Sequence, residues 1–178
     1  MSQEIEIKLK LDDAAGLRRR LTSLGAKLTD ASGGETNLLF DDASASLRRG
    51  ARALRLRRAR GQAWLTYKGR KSFRDGVGER EEIESLVGDA DGIVAILAAL
   101  GLRPVLAYAK QRESWTLGAV KVEIDRTSAG DFVEIEGPDK AVREAVSALG
   151  FSSSQGLRQS YPRLIGETLP AGRPDKPA

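Results

Sequence analysis

Polar and apolar residues alternate along most of this chain. Glu4–Leu11, Asn37–Asp41, Ala53–Arg58, Ala63–Lys68, Arg80–Val87, Ala107–Leu117, Ala119–Arg126 and Asp131–Glu136 change character at every residue or nearly so. That is the period of a β-strand, whose successive side chains point to opposite faces. Elsewhere the apolar residues fall at helical spacing: Leu17, Leu21 and Leu24; Ile93, Ile96, Leu97 and Leu100; Val142, Ala145, Val146 and Leu149. Asp12 or Asp13, Asp89 or Asp91, and Asp139 precede these runs, and Gly25, Gly101 and Gly150 follow them, as start and stop signals for helices. The order strand, helix, several strands, helix, several strands, helix predicts an α+β protein with a mostly antiparallel sheet. Arg70–Gly78 reads as a loop, and its glycines Gly76 and Gly78 as plain loop residues. No shift in composition marks a domain boundary, so one domain is expected over 1–169, with a disordered Pro-rich tail at 170–178.

The polar positions of the strands are unusual in being almost all charged. Glu4, Glu6 and Lys8 share one face of the first strand, opposite Ile5, Ile7 and Leu9. Arg55 and Arg57 align in the same way, as do Thr66 with Lys68, and Arg80 with Glu82 and Glu84. Lys110 aligns with Arg112, Lys121 with Glu123 and Asp125, and Glu134 with Glu136. Several strands carry one sign only, and like charges on one face repel unless opposite charge lies between them. A closed barrel resolves the problem: the charged face turns inward, and the apolar face turns outward beneath the amphipathic helices. About eight strands enclose room for side chains or one small ligand. Clustered Arg and Lys favour a polyanion and clustered carboxylates a divalent cation. The two together favour a metal–polyphosphate complex.

Composition narrows the chemistry further. The chain has 178 residues and contains neither cysteine nor histidine. Disulfides, thiol nucleophiles, Ser-His-Asp triads and His- or Cys-ligated metals are therefore excluded. Acid–base work falls to Glu, Asp, Lys or Tyr, and a metal would need oxygen ligands, which suits Mg²⁺ or Mn²⁺. Net charge is only +4 and aromatic residues make up 5%, which argues against a nucleic-acid surface. There is no apolar run of membrane-spanning length and no signal-peptide core in Met1–Lys10. A cytoplasmic protein with no membrane partner, monomeric or homodimeric, is expected.

Several of these segments also resemble the signatures of one family. Glu4-Ile-Glu-Ile-Lys8 resembles the N-terminal E-x-E-x-K of the CYTH superfamily, the triphosphate tunnel metalloenzymes. Glu35-Thr-Asn37 with Phe40-Asp41, Leu54-Arg-Leu-Arg57 and Leu65-Thr-Tyr-Lys-Gly69 follow in the family's order. So do Arg80-Glu-Glu-Ile-Glu84, Tyr108-Ala-Lys-Gln-Arg112, Glu123-Ile-Asp125, Gly130–Gly137 and Ser160-Tyr161. The resemblance spans roughly 3–166 and implies an eight-stranded antiparallel tunnel that binds a triphosphate with Mg²⁺ or Mn²⁺.

Carried over by position, the resemblance implies that Glu134 and Glu136 hold a metal, helped by Glu4 or Glu6, with Asp125 and Glu123 close by. Lys8, Arg55, Arg57, Lys68, Arg80, Lys110 and Arg112 would face the substrate. Glu82 and Glu84 would organise the lumen by pairing with these cations. The family includes triphosphatases and class IV adenylyl cyclases, so two reactions are in view. In hydrolysis, a metal-bound water, activated by Glu4 or Glu6 or by a second metal and with Lys8 beside them, attacks the terminal phosphorus of inorganic, thiamine or nucleoside triphosphate. In cyclisation, the ribose 3′-oxygen of ATP attacks the α-phosphorus and pyrophosphate leaves. A non-catalytic polyphosphate-binding module is a third reading, which the carboxylates disfavour. Gly69-Arg-Lys-Ser72 lacks the first glycine of a P-loop and reads as a turn. Trp64 and Trp115 are expected outside the barrel under the helices, and Tyr161 as a structural hydroxyl.

Overall fold

Alternation leaves each strand with one apolar edge to bury, and the chain does so by rolling its sheet into a ring. The computed structural model describes residues 2–161 and 164, so the expected tail at 170–178 lies outside the described residues. In chain order the elements are β1 (Ser2–Lys10), α1 (Ala14–Ser23), β2 (Lys27–Asp41), α2 (Ser46–Arg49), β3 (Ala53–Ala59) and β4 (Gln62–Lys68). There follow β5 (Ser72–Arg74), β6 (Val77–Val87), α3 (Ala90–Ala99), β7 (Arg103–Leu117), β8 (Val120–Thr127), β9 (Gly130–Glu136) and α4 (Asp139–Ala148). A single 3-10 turn, Ser153–Gln155, comes last.

The hydrogen-bonded order is β1-β9-β8-β7-β2-β3-β4-β6, and β6 pairs back onto β1. Ser2 lies opposite Glu82 and Glu6 opposite Gly78 at that seam, which closes an eight-stranded antiparallel barrel. The short β5 pairs only with β6, outside the ring. No helix of the described residues is long and apolar enough to cross a membrane.

Two apolar layers coat the outside. Leu17 and Leu21 of α1 and Val142, Ala145 and Val146 of α4 pack on Ile7, Leu9, Val122, Ile124, Val133 and Ile135. Leu97 of α3 packs with Phe40, Leu56 and Ala63 on the opposite side. Full burial of each such Leu, Ile or Val contributes about 1.5–3 kcal/mol, so these layers hold the barrel shut. A third cluster lies inside one end: Leu106, Tyr108, Phe132 and Tyr161, with Leu39, Leu157 and Leu164 against it. Tyr108 and Phe132 share their strands' inward faces with Lys110 and Glu134, so this cluster plugs the lumen.

The structure departs from the sequence reading in five places. β2 starts at Lys27 rather than Asn37, because shifts in its pairing with β7 near Asp30 and Gly33 break the alternation. A fourth helix, α2, is held by a side chain: the Asp41 carboxylate accepts from the backbone N–H of Leu47 and Arg48. The Arg70–Gly78 segment contains β5 and the start of β6 rather than being all loop. Asp13 and Asp89 cap α1 and α3 as expected, but Pro138 occupies the α4 cap position and Asp139 pairs instead with Arg143. Trp115 packs in the outer core; Trp64 does not, for the reason given below.

Candidate active site

Strand order sorts the lumen's charges into walls. β1, β9 and β8 are neighbours and supply Glu4, Glu6, Glu134, Glu136, Glu123 and Asp125. Around the other side, β7, β3 and β4 supply Lys110, Arg112, Arg55, Arg57 and Lys68. β2 lies between β7 and β3 and adds the buried Glu35 and Asn37, and β6 adds Arg80, Glu82 and Glu84. Within the acidic wall Glu6 stands opposite Glu136, and Glu134 opposite both Lys8 and Glu123.

Cations and carboxylates pair throughout the lumen. Arg112 is the hub: its guanidinium donates to both Asp125 oxygens at 2.7 and 2.6 Å and to Glu134 at 2.5 Å, and it also pairs with Glu123. Lys110 lies 3.0 Å from Asp125 and 3.4 Å from Glu35. Lys8 lies 3.2 Å from Glu134. At the β1–β6 seam, Lys68 bridges Glu4 at 2.8 Å and Glu82 at 2.6 Å, while Arg80 pairs with Glu4. Glu84 sits 3.3 Å from Arg57 and 3.7 Å from Arg55, and accepts from the Thr66 hydroxyl at 2.7 Å.

Proton affinities follow from these contacts. Burial raises the Glu134 carboxyl, but Lys8, Lys110 and Arg112 outweigh it and hold the group well below the usual carboxylate range. Glu4 is likewise depressed, with Lys68 and Arg80 overcoming burial, and Asp125 with Arg112 and Lys110 doing the same. Lys8 is lowered by burial, which Glu134 only partly offsets. Glu136 goes the other way: burial, then Glu123 and Glu4, push it up to about 7. No cation lies within ion-pair distance of Glu136 among the described residues.

The charged site residues predicted from the sequence therefore line one lumen. The pattern reading missed four others. Glu35 and Asn37 belong to a family-like segment, yet nothing in the alternation marks them as lumen groups; Asn37 donates to Glu35 at 3.1 Å. Lys71, from the turn before β5, reaches Glu6. It runs where Gly78 has no side chain: a Cβ there would lie 2.0 Å from the Lys71 Cε. Gly78 is thus a lumen-facing residue of β6 rather than a loop glycine. The fourth is Trp64, on the same face of β4 as Thr66 and Lys68, with the Arg57 guanidinium 4.4 Å from its ring centre. Tyr161, expected to be structural, donates its hydroxyl to Asp125 at 2.6 Å inside the plug.

The lumen opens at the end opposite the plug. A cavity of about 280 Å³ there is lined by Arg57, Trp64, Arg112, Ser114, Lys121 and Glu123, among others. Side-chain exposure rises from 0% at Asp125 and 1% at Lys110 to 20% at Arg57 and 51% at Lys121. On the basic wall the Nε–H groups of Arg55 and Arg57 are buried without a hydrogen-bond partner. Among the described residues no three carboxylates converge on one point as a ready-made metal cage, since most are drawn to cations. The donor set nevertheless fits a hard divalent cation: all its donors are oxygens, two pairs of carboxylates face each other across strands, and Glu136 lacks a paired cation.

A closed barrel with a plugged, doubly charged lumen leaves room at its open end for a small ionic ligand. The CYTH domain model matches residues 2–161, and the chain belongs to that family. It is 31% identical over 175 residues to MJ0240 of Methanocaldococcus jannaschii, a protein provisionally named an adenylate cyclase, covering 92% of this chain and 98% of that one. It is 28% identical over 181 residues to adenylate cyclase CyaB of Aeromonas hydrophila, covering 93% and 90%. Among solved structures, HpAC1 from Hippeastrum superposes with a TM-score of 0.64 at 20% identity, covering 94% of this chain and 98% of that one. HpAC1 carries a provisional adenylyl cyclase name and is described as having a dominant triphosphatase activity.

Proposed function

We propose that this CYTH protein is a divalent-metal-dependent phosphohydrolase that draws a triphosphate-containing substrate into the barrel and cleaves its terminal phosphate. One observation carries the reading: an acidic wall faces a basic wall in which Arg55 and Arg57 have buried Nε–H donors without acceptors. A lumen built only for anions has no use for Glu6, Glu123, Glu134 and Glu136, and one built only for cations has none for Arg55 and Arg57.

In this reading Glu134 and Glu136, with Glu4 or Glu6 and with Glu123 and Asp125 close by, would hold Mg²⁺ or Mn²⁺. When bound, such a cation shields phosphate charge and makes a nearby water more acidic. Arg55, Arg57, Arg80 and Arg112 present forked donors to phosphate oxygens, while Lys8, Lys68 and Lys110 supply point charges. Arg55, Arg57 and Lys68 lie on β3 and β4, away from β1, β9 and β8, while Lys110 and Arg112 on β7 border the acids, so the phosphate chain would run along the basic side and the reacting water would approach from the acidic one. Glu4 and Glu6 stand on that approach as groups to orient the water and accept its proton. Because each cation already has an internal carboxylate, binding exchanges one ion pair for another. The lumen therefore avoids most of the several kcal/mol needed to hold an unpaired buried charge.

A second reading, cyclisation of ATP to cyclic AMP with release of pyrophosphate, is favoured by the names of the two relatives. The same walls serve both reactions, and they differ in which phosphorus meets the nucleophile. Purified protein would be incubated with Mg²⁺ or Mn²⁺ and, separately, with inorganic triphosphate, thiamine triphosphate or ATP, and the products resolved by ³¹P NMR. Orthophosphate without cyclic nucleotide is the expected result. Cyclic AMP with pyrophosphate would transfer the assignment to the cyclase, and no turnover of any of the three would refute both.

A further inference from the structure

Trp64 is out of place for a lumen residue. β4 alternates with Ala63 and Leu65 outward and Thr66 and Lys68 inward, and Trp64 shares the inward parity. The other large aromatics of the lumen, Tyr108, Phe132 and Tyr161, are buried together in the plug at the far end. Trp64 instead lies partly exposed at the open end, on the wall of the 280 Å³ cavity. Its indole N–H donates to no protein group among the described residues, whereas Trp115 in the outer core donates to Glu113 at 2.6 Å. A tryptophan that served only packing would normally be buried and find such a partner.

Arg57 ties this ring to the phosphate site. Its guanidinium stacks on Trp64 at 4.4 Å while its buried Nε–H lacks an acceptor. One side chain thus links the aromatic ring at the mouth with the donor row inside. A polyphosphate lying along Arg55 and Arg57 would bring whatever is attached at its outer end beside Trp64. The space there is just under the usual lower bound of about 300 Å³ for ligand pockets, room for one ring system rather than a larger group. Ser114, Gln62 and Thr29 on the same cavity wall offer polar groups to a ring edge.

We propose that Trp64, held by Arg57, is the platform for the base of a nucleoside triphosphate, so that the organic end of the substrate is recognised at the open mouth. This rests on the triphosphate-tunnel reading and narrows its substrate class. It is neutral between hydrolysis and cyclisation, since both require the base outside and the phosphates within. Base–aromatic stacking contributes about 1–3 kcal/mol per base, equivalent to roughly five- to hundredfold in affinity.

The test compares two ligands on three proteins. Dissociation constants of ATP and of inorganic triphosphate, each with Mg²⁺, would be measured by calorimetry for the wild type, Trp64→Ala and Trp64→Phe. Trp64→Ala is expected to weaken ATP by roughly five- to hundredfold and inorganic triphosphate by no more than about twofold, with Trp64→Phe keeping most of the ATP affinity. In a Trp115→Phe background, where Trp64 is the single tryptophan, ATP should quench its emission and inorganic triphosphate should not. Equal loss for both ligands would overturn the proposal and make Trp64 a support for Arg57. So would unchanged ATP binding in Trp64→Ala, or a wild type that binds inorganic triphosphate but not ATP. A wild type that binds neither ligand would overturn the tunnel reading itself and this inference with it.

Discussion

Tyr161→Phe removes one hydroxyl from the plug and nothing else. The hydroxyl donates at 2.6 Å to Asp125, whose carboxylate is fully buried. Burial, together with Glu134 and Asp125, pushes the phenol well above its ordinary value, so it stays a donor throughout the stable range. A hydrogen bond to a charged group contributes about 1.5–3 kcal/mol. Asp125 keeps Lys110 at 3.0 Å and Arg112 at 2.7 and 2.6 Å, so the carboxylate is not orphaned and the lower half of that range applies. For a domain of this size, about 2–4 °C is lost per kcal/mol, so the melting temperature should fall by about 3–8 °C. Urea titration should show a lower midpoint at unchanged slope. Tyr161→Leu should cost more, because it also removes the edge contact with Phe132 at 5.6 Å and the ring beneath the Lys8 ammonium at 3.6 Å. Those contacts contribute about 0.5–1.5 and 0.5–2 kcal/mol. In a double-mutant cycle with Asp125→Asn, the coupling should be about 1 kcal/mol or more. A melting temperature for Tyr161→Phe within about 1 °C of wild type, or coupling near zero, would refute the claim that this hydroxyl secures the inner end of the lumen.

Three further outcomes follow from the walls. Glu134→Gln should lower metal-dependent turnover by about 100-fold or more while the far-ultraviolet circular dichroism stays native; retained activity would sink its assignment to the metal. Glu84→Gln releases Arg55 and Arg57 from a partly exposed partner, so inorganic triphosphate should bind about two- to fivefold tighter in calorimetry, the range that such an ion pair allows. Gly78→Ala forces the Lys71 side chain away from Glu6 without backbone strain. Gly78→Ala and Lys71→Ala should therefore shift triphosphate affinity alike, and the double variant no further; additive shifts would mean that Gly78 acts by another route.

What could be read from the sequence and what could not divide along one physical line. Alternation is local, so the inward faces of β1, β3, β4, β6, β7, β8 and β9 are all visible in the chain, along with the helices that cover the outer faces. Trp64 was legible by the same parity as Thr66 and Lys68. A large apolar ring is expected to pack outward under the helices, an expectation that fails where a lumen opens to solvent. Glu35 is not legible as a lumen group, because the irregular pairing at Asp30 and Gly33 hides the start of β2. Lys71 has no period at all: it enters the lumen from a turn, through the gap at Gly78, and only the β5–β6 register, with Phe73 opposite Gly78, reveals the path.

The separation into walls is the least local feature of all. It depends on β9 returning beside β1, and β2 inserting between β7 and β3, pairings that join distant parts of the chain. Along the chain the signs look mixed, with a net charge of +4, and a balanced count of that kind resembles an ordinary solvated surface. Closing the ring gathers Glu6, Glu136, Glu134 and Glu123 on one side and Arg55, Arg57, Lys68 and Arg112 on the other. Any ligand that neutralises only one wall leaves the other buried without its partners, at the several kcal/mol that an unpaired buried charge costs. Affinity should therefore be cooperative: a divalent cation alone and a triphosphate alone should each bind weakly, and each should bind more tightly in the presence of the other. Calorimetric titration of each ligand, with and without the other, measures that coupling, corrected for the complex the two form in free solution. Independent binding of the two would show that the walls act separately, and the argument for a single metal–triphosphate site would fail.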